Sequence, residues 1–88
     1  MTTGHWTIDV TFAEDETRTD AKATVTLADG TELSANGYAR RNPADPSKPQ
    51  IGEEIATARA LSHLVHELLD KAAGELEDAT HEPAHLSA

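Results

Sequence analysis

The sequence predicts an α+β domain: a three-stranded antiparallel meander sheet with one long C-terminal helix packed on its apolar face, β-β-β-α in two layers. Three observations carry this. Segments near residues 5–13, 21–27 and 31–39 alternate apolar with polar side chains, the period of strands that bury one face. The acidic run Glu14-Asp15-Glu16 and the tripeptide Ala28-Asp29-Gly30 separate them as turns. From Gly52 onward apolar residues recur instead at three and four, the period of a helix.

In HWTIDVTFA, Trp6, Ile8, Val10 and Phe12 share one face, against Thr7, Asp9 and Thr11. The second strand sets Ala21, Ala23, Val25 and Leu27 against Lys22, Thr24 and Thr26. The third, from Thr31 to Ala39, puts Leu33, Ala35, Gly37 and Ala39 on one side. Register follows from the turns. A two-residue Asp29-Gly30 loop would set the apolar sets of strands two and three on opposite faces. A three-residue loop with Gly30 in the left-handed conformation pairs Leu27 with Thr31 and Val25 with Leu33, and is the one expected. A two-residue Glu16-Thr17 loop, or a four-residue one about it, sets Val10 opposite Ala23 and Ile8 opposite Val25.

RRNPADPSKPQ, residues 40–50, reads as a stiff connection, because Pro43, Pro46 and Pro49 lack N–H groups and disfavour both ladder and helix. The helix is expected from about Glu53 to Ala73, with Glu53 and Glu54 in its first turn where the dipole favours acid. Gly74 costs about 1 kcal/mol relative to alanine, so the end comes there or frays a turn or two later. Residues 1–80 then form one domain and 81–88 a flexible tail broken by Pro83.

Eighty-eight residues suffice for one core. With 38% hydrophobic and 3% aromatic residues, that core is aliphatic, with little room for a deep pocket. There is no cysteine, hence no disulfide framework or thiolate metal site, and no signal-like or membrane-length apolar run, so the expected location is cytoplasmic. The formal charge is -9, which repels phosphate backbones and anionic membranes unless the seven basic residues cluster, and in sequence only Arg40-Arg41 are adjacent.

HWTIDVTFAED, DGTELSANGYARRNPAD and above all QIGEEIATARALSHLVHELL resemble a small actinobacterial domain family of unknown function, whose fold is similar to the double-stranded RNA-binding domain. The resemblance covers roughly residues 5–70 and implies a fold, with no activity or catalytic residue. It raises double-stranded RNA binding as the alternative function. The residues disfavour it: where such a domain carries a lysine cluster against the phosphates, this chain has Gly52, Glu53 and Glu54.

No nucleophile sits beside a base and acid in a catalytic context, since Ser34, Ser47 and Ser62 lack one, and no phosphate-binding glycine loop occurs. His63 and His66 stand at i and i+3, in a stripe with Arg59 and Asp70 opposite the apolar face, which reads as a solvated face rather than a two-ligand metal site. His81 and His85 straddle Pro83 and do not converge. Arg40, Arg41 and Lys48 form the one basic spot, a place for a partner's carboxylate or phosphate or a charged rim protecting a strand end. The helix's apolar arc, from Leu64 round to Ile55, spans about 180°, whereas a core stripe needs little more than ~100°. Two covers for the excess are open: the three-stranded sheet curls round the helix, or the flank with Leu61, Leu64 and Leu68 packs on a second copy. The sequence therefore reads as a non-enzymatic, acidic interaction module needing no cofactor or metal, with a protein partner or itself in a homodimer, and no membrane.

Overall fold

A computed structural model describes residues 1–41 and 48–86. Strands β1 (Ile8–Glu14), β2 (Arg18–Thr26) and β3 (Glu32–Arg40) form one antiparallel sheet in the order β1-β2-β3, followed by helix α1 (Pro49–Thr80). Most of the Pro-rich connection, residues 42–47 with Pro43, Pro46 and Ser47, lies outside the described residues.

Both hairpins take the registers their turns dictate. Val25 stands opposite Leu33, and the loop between them closes with Leu27 N–H donating to Thr31 O at 2.8 Å. Gly30 has φ +87°, the left-handed geometry this loop requires. Asp29 Oδ1 accepts the Thr31 N–H at 2.9 Å, locking the turn. At the other hairpin Ile8 faces Val25 and Val10 faces Ala23, and Asp15 N–H donates to Arg18 O at 2.9 Å around the Glu16-Thr17 pair. Asp15 Oδ1 also accepts the N–H groups of Thr17 and Arg18.

The helix departs from expectation at its start. It begins at Pro49, whose missing N–H costs nothing in the first turn, where no intrahelical acceptor exists for it. Glu53 and Glu54 consequently lie beyond the first turn, which carries no acid. It runs on through Gly74 to Thr80, where His81 at φ 60° donates its N–H to Glu77 O at 2.7 Å. Gly74 has open space around it, so Gly74→Ala should stabilise the chain by about 0.5–1 kcal/mol in urea unfolding, through helix propensity alone.

The core explains where the helix sits. Its buried members are Ala21, Ala23, Val25, Ala35 and Ala39 from the sheet, and Ala56, Ala60 and Leu64 from the helix. Alanine faces alanine across most of this contact, with Gly37 at its centre. A Cβ on Gly37 would stand 2.3 Å from the backbone N of Ala60 and 2.6 Å from Ala56 O. The helix thus settles where the sheet surface is lowest, over β2 and β3. The expectation that it roofs the whole apolar face is corrected for β1: Val10 reaches the core margin, but Trp6, Ile8 and Phe12 are 58%, 42% and 47% exposed. Their bulk would hold a helix off the sheet.

Thirty-two helical residues extend about 48 Å at 1.5 Å each, close to the longest dimension of 53 Å, whereas nine-residue strands reach only about 30 Å. The mismatch leaves an overhang. Lys71 Nζ donates to Asp29 Oδ2 at 2.9 Å, fixing the helix to the β2–β3 turn, and also pairs with Glu75. Beyond that anchor the last turns, Ala72 to Thr80, project past the sheet.

This clamp is pH-sensitive. The Asp29 carboxyl is held well below the usual carboxylate range, first by the Thr31 N–H and then by the Lys71 ammonium. Folding favours its ionised form, so the stability it contributes is present above the ordinary aspartate value and is lost as pH falls through it toward the folded value. Asp29→Asn keeps an oxygen for Thr31 but loses the charge. Its urea midpoint should fall below the parent's at pH 7, and should decline less steeply from pH 5 to pH 2.

Candidate interaction site

The two edges of the sheet are treated differently. Odd-numbered residues of β3 exchange backbone bonds with β2, as the Leu27–Thr31 and Arg41–Thr17 bonds at its two ends show, so even-numbered carbonyls point outward. Helix α1 covers two of them. Arg59 Nη1 donates to Tyr38 O at 2.8 Å, and His63 Nδ1 lies 2.6 Å from Asn36 O. A carbonyl only accepts, so His63 carries its proton on Nδ1 there. Arg59 and His63, expected on a solvated stripe opposite the core, instead seal an edge strand. That is the role of helix side chains laid along an open ladder.

With Ala56, Ala60 and Leu64 facing the sheet, the larger aliphatic side chains turn outward. Ile51, Ala58, Val65 and Ala72 repeat at seven residues. Ile55, Ser62, Leu69 and Leu76 repeat at seven, four residues further on. Together they make a 4-3 seam of four heptads, the spacing of a coiled-coil stripe, lying about 180° round the helix from Ala60. Ile51, Ile55, Val65 and Leu76 are 50%, 41%, 40% and 45% exposed, and Leu69 is half-buried. The seam runs about 38 Å along the helix at 1.5 Å per residue.

At the start of the seam the fold gathers charge that the sequence scatters. A cleft of about 380 Å³ lies between the β1–β2 loop, the end of β3 and the first turns of α1. Arg18, Arg40, Arg41 and Lys48 line it with Glu14, Asp15 and Glu16, and Ile51 and Ile55 form its apolar wall. Arg18 is committed to the sheet: it pairs with Asp20 at 2.9 Å and stacks 4.1 Å over Tyr38. Arg41 Nε donates to Glu16 O at 3.0 Å. The Glu14 carboxyl hydrogen-bonds that of Glu53, which pushes its pKa up. At the far end of the helix the charges are of one sign: Glu75, Glu77, Asp78 and Glu82 are acidic, and the last turn has no basic residue. Among the described residues, no three metal-ligating side chains come together, and no helix is long and apolar enough to cross a membrane.

The sequence model of the Rv2632c-like family matches residues 4–85, nearly the whole chain. The chain belongs to that family. An uncharacterised Mycobacterium tuberculosis protein of strain CDC 1551, MT1780, is 44% identical over 82 residues, 93% of this chain and 86% of its own. Rv2632c itself, an uncharacterised protein of Mycobacterium tuberculosis H37Rv, is 43% identical over 76 residues, 86% of this chain and 81% of its own. The crystal structure of Rv2632c superposes with a TM-score of 0.84 at 40% identity, covering 94% of this chain and 98% of that one. These relatives carry no assigned activity, so the family supplies the fold and its actinobacterial setting.

In this Rv2632c-like chain the predicted contact residues divide. Leu64, expected on a partner-facing flank, is 1% exposed and is the largest buried side chain of the helix. It belongs to the chain's own core, which removes it from any contact surface. Leu61 packs against the core margin and Leu68 is half-buried, so both border the seam instead of forming it. Arg40, Arg41 and Lys48 do share one cleft. The seam went unseen because its signal overlaps the core's: reading every large aliphatic of the helix as one arc merges two stripes. The alanines at 56 and 60, which separate them, carry little hydrophobic weight.

Proposed function

We propose that this Rv2632c-like protein is a non-enzymatic interaction module that associates with itself through the outward seam of α1. One observation carries the reading: the helix packs two alanines and a single leucine, Ala56, Ala60 and Leu64, against its own sheet and turns isoleucine, valine and leucine outward at heptad spacing. An isolated domain gains by the reverse arrangement, since burial is worth ~0.8 kcal/mol per methylene. A stripe sustained over four heptads is the shape a partner helix fills. The cleft does not favour catalysis, because Asp15 serves its turn, Arg41 holds Glu16 O, Arg18 pairs with Asp20 and Glu14 with Glu53. Nor does it favour duplex RNA, because three carboxylates line it beside its basic groups.

A contact about 38 Å long and ~10 Å wide covers roughly 400 Å² of each copy before its flanks are added, about 800 Å² in total, the size of a weak, transient interface. Micromolar concentrations are therefore the range to search. In sedimentation equilibrium across the micromolar range, the parent's weight-average mass should rise with concentration from 9.4 kDa toward twice that value. Val65→Glu with Leu69→Glu should sediment at 9.4 kDa while keeping its circular dichroism. A parent that remains monomeric throughout refutes self-association.

A further inference from the structure

Resting on the self-association just proposed, we infer that the two helices pair antiparallel about a two-fold axis between Ser62 and Val65, so that each copy's acidic helix end closes the other's basic cleft. Two independent features lead there.

The first is volume. In a parallel pair each seam residue meets its own copy, giving Ile55 on Ile55 and Leu69 on Leu69, but Ala58 on Ala58, Ser62 on Ser62 and Ala72 on Ala72. Wide and narrow layers would alternate along one interface. An antiparallel pair sets Ile55 against the partner's Ala72, Leu69 against the partner's Ala58, and Val65 against the partner's Ser62. Three of the four layers then hold one large and one small side chain, and only the terminal one, Ile51 against the partner's Leu76, holds two large ones, which packs more evenly than the parallel pair. Leu61 and Leu68, which border the seam, meet each other across the axis.

The second is charge. A helix favours acid at its start and base at its end. Here Lys48 stands immediately before Pro49, the first turn holds no acid, and the last turn holds no base. Each end carries the sign its own dipole disfavours. Antiparallel pairing brings the end carrying Glu77, Asp78 and Glu82 alongside the partner's Lys48 and Arg40, twice by symmetry. Parallel pairing stacks acid on acid and base on base. It would gain Glu54 against the partner's Arg59, but that guanidinium is already bonded to Tyr38 O. The antiparallel pair sets Glu54 near the partner's Glu75, and Glu75 arrives neutralised by Lys71. The overhang gains a purpose as well: only a helix projecting past its own sheet reaches across the partner's cleft beside Ile51.

The chain has no cysteine, so single thiols report orientation cleanly. Ile51→Cys and Leu76→Cys are purified separately, mixed, and oxidised at the concentration where the parent dimerises. Antiparallel pairing predicts the mixed 51–76 disulfide in excess of about tenfold over either homodisulfide, as proximity dictates. It also predicts that 0.5 M salt weakens the dimer, and that Lys48→Glu with Arg40→Glu does so at low salt. Predominant 51–51 and 76–76 homodisulfides would overturn the orientation while leaving self-association standing. A monomer by sedimentation with only random, dilution-sensitive disulfides would overturn both.

Discussion

Gly37→Ala should cost about 3 kcal/mol, and lower the Tm of a domain this size by ~15 °C, although it adds a single methyl group. The new Cβ would lie 2.3 Å from the Ala60 nitrogen, 2.6 Å from Ala56 O and 2.8 Å from the Arg59 carbonyl carbon. All three are backbone atoms of one helix, so no side chain can swing aside. The helix must translate away from β3, which opens gaps around Ala56, Ala60 and Leu64 and lengthens the Arg59 and His63 bonds to the β3 edge. Backbone strain is not the cause, since Gly37 is not among the glycines at positive φ. Ala60→Gly in the same chain should therefore fail to rescue it, because the obstructing atom is nitrogen and not the alanine methyl. Urea unfolding of the single and double variants checks both statements. A Gly37→Ala variant within 0.5 kcal/mol of the parent, inside the usual range for surface changes, would mean that the helix does not seat on Gly37.

The sheet was legible in the sequence because its information is local. Alternation fixes which side chains share a face, and the left-handed demand at Gly30 fixes the loop, so Val25 had to meet Leu33. Helix existence was equally plain. What the sequence did not disclose is which of two apolar stripes faces the sheet. Hydrophobicity ranks Ile55, Val65 and Leu69 above Ala56 and Ala60. The choice is made by the partner surface instead: a sheet of Ala35, Gly37 and Ala39 admits a helix only through its smallest residues. Pattern reading weighs one element at a time and cannot see that constraint. The helix start differs for a simpler reason: proline breaks a helix interior but suits its first turn, where Pro49 stands. The cleft was invisible because Arg18 and Lys48 are thirty positions apart in sequence and meet only through the β1–β2 turn.

Leu64→Ala and Leu69→Ala, the same chemical change five residues apart, should part company by several kcal/mol. Leu64 is 1% exposed, and with Val25 it supplies the bulk of a core otherwise made of alanine. Alanine has no rotamer with which to fill a void, so the cavity left behind stays open. The loss should fall toward the upper part of the range for such deletions, at about 4 kcal/mol. For a chain whose total stability is of order 5–10 kcal/mol, that is about half of it. Leu69 lies half-buried on the outward seam, where the monomer loses only part of one side chain's burial, less than about 1 kcal/mol. Its deletion should instead raise the dimer dissociation constant about tenfold, one layer's worth at ~1.4 kcal/mol. Thermal unfolding at two protein concentrations tells the cases apart. Binding to the folded state makes Tm rise with concentration, so the parent and Leu64→Ala should both show that slope and Leu69→Ala should flatten it. Equal destabilisation by the two substitutions in dilute, monomeric solution would place the seam inside the fold, and α1 would then have no free face to offer a partner.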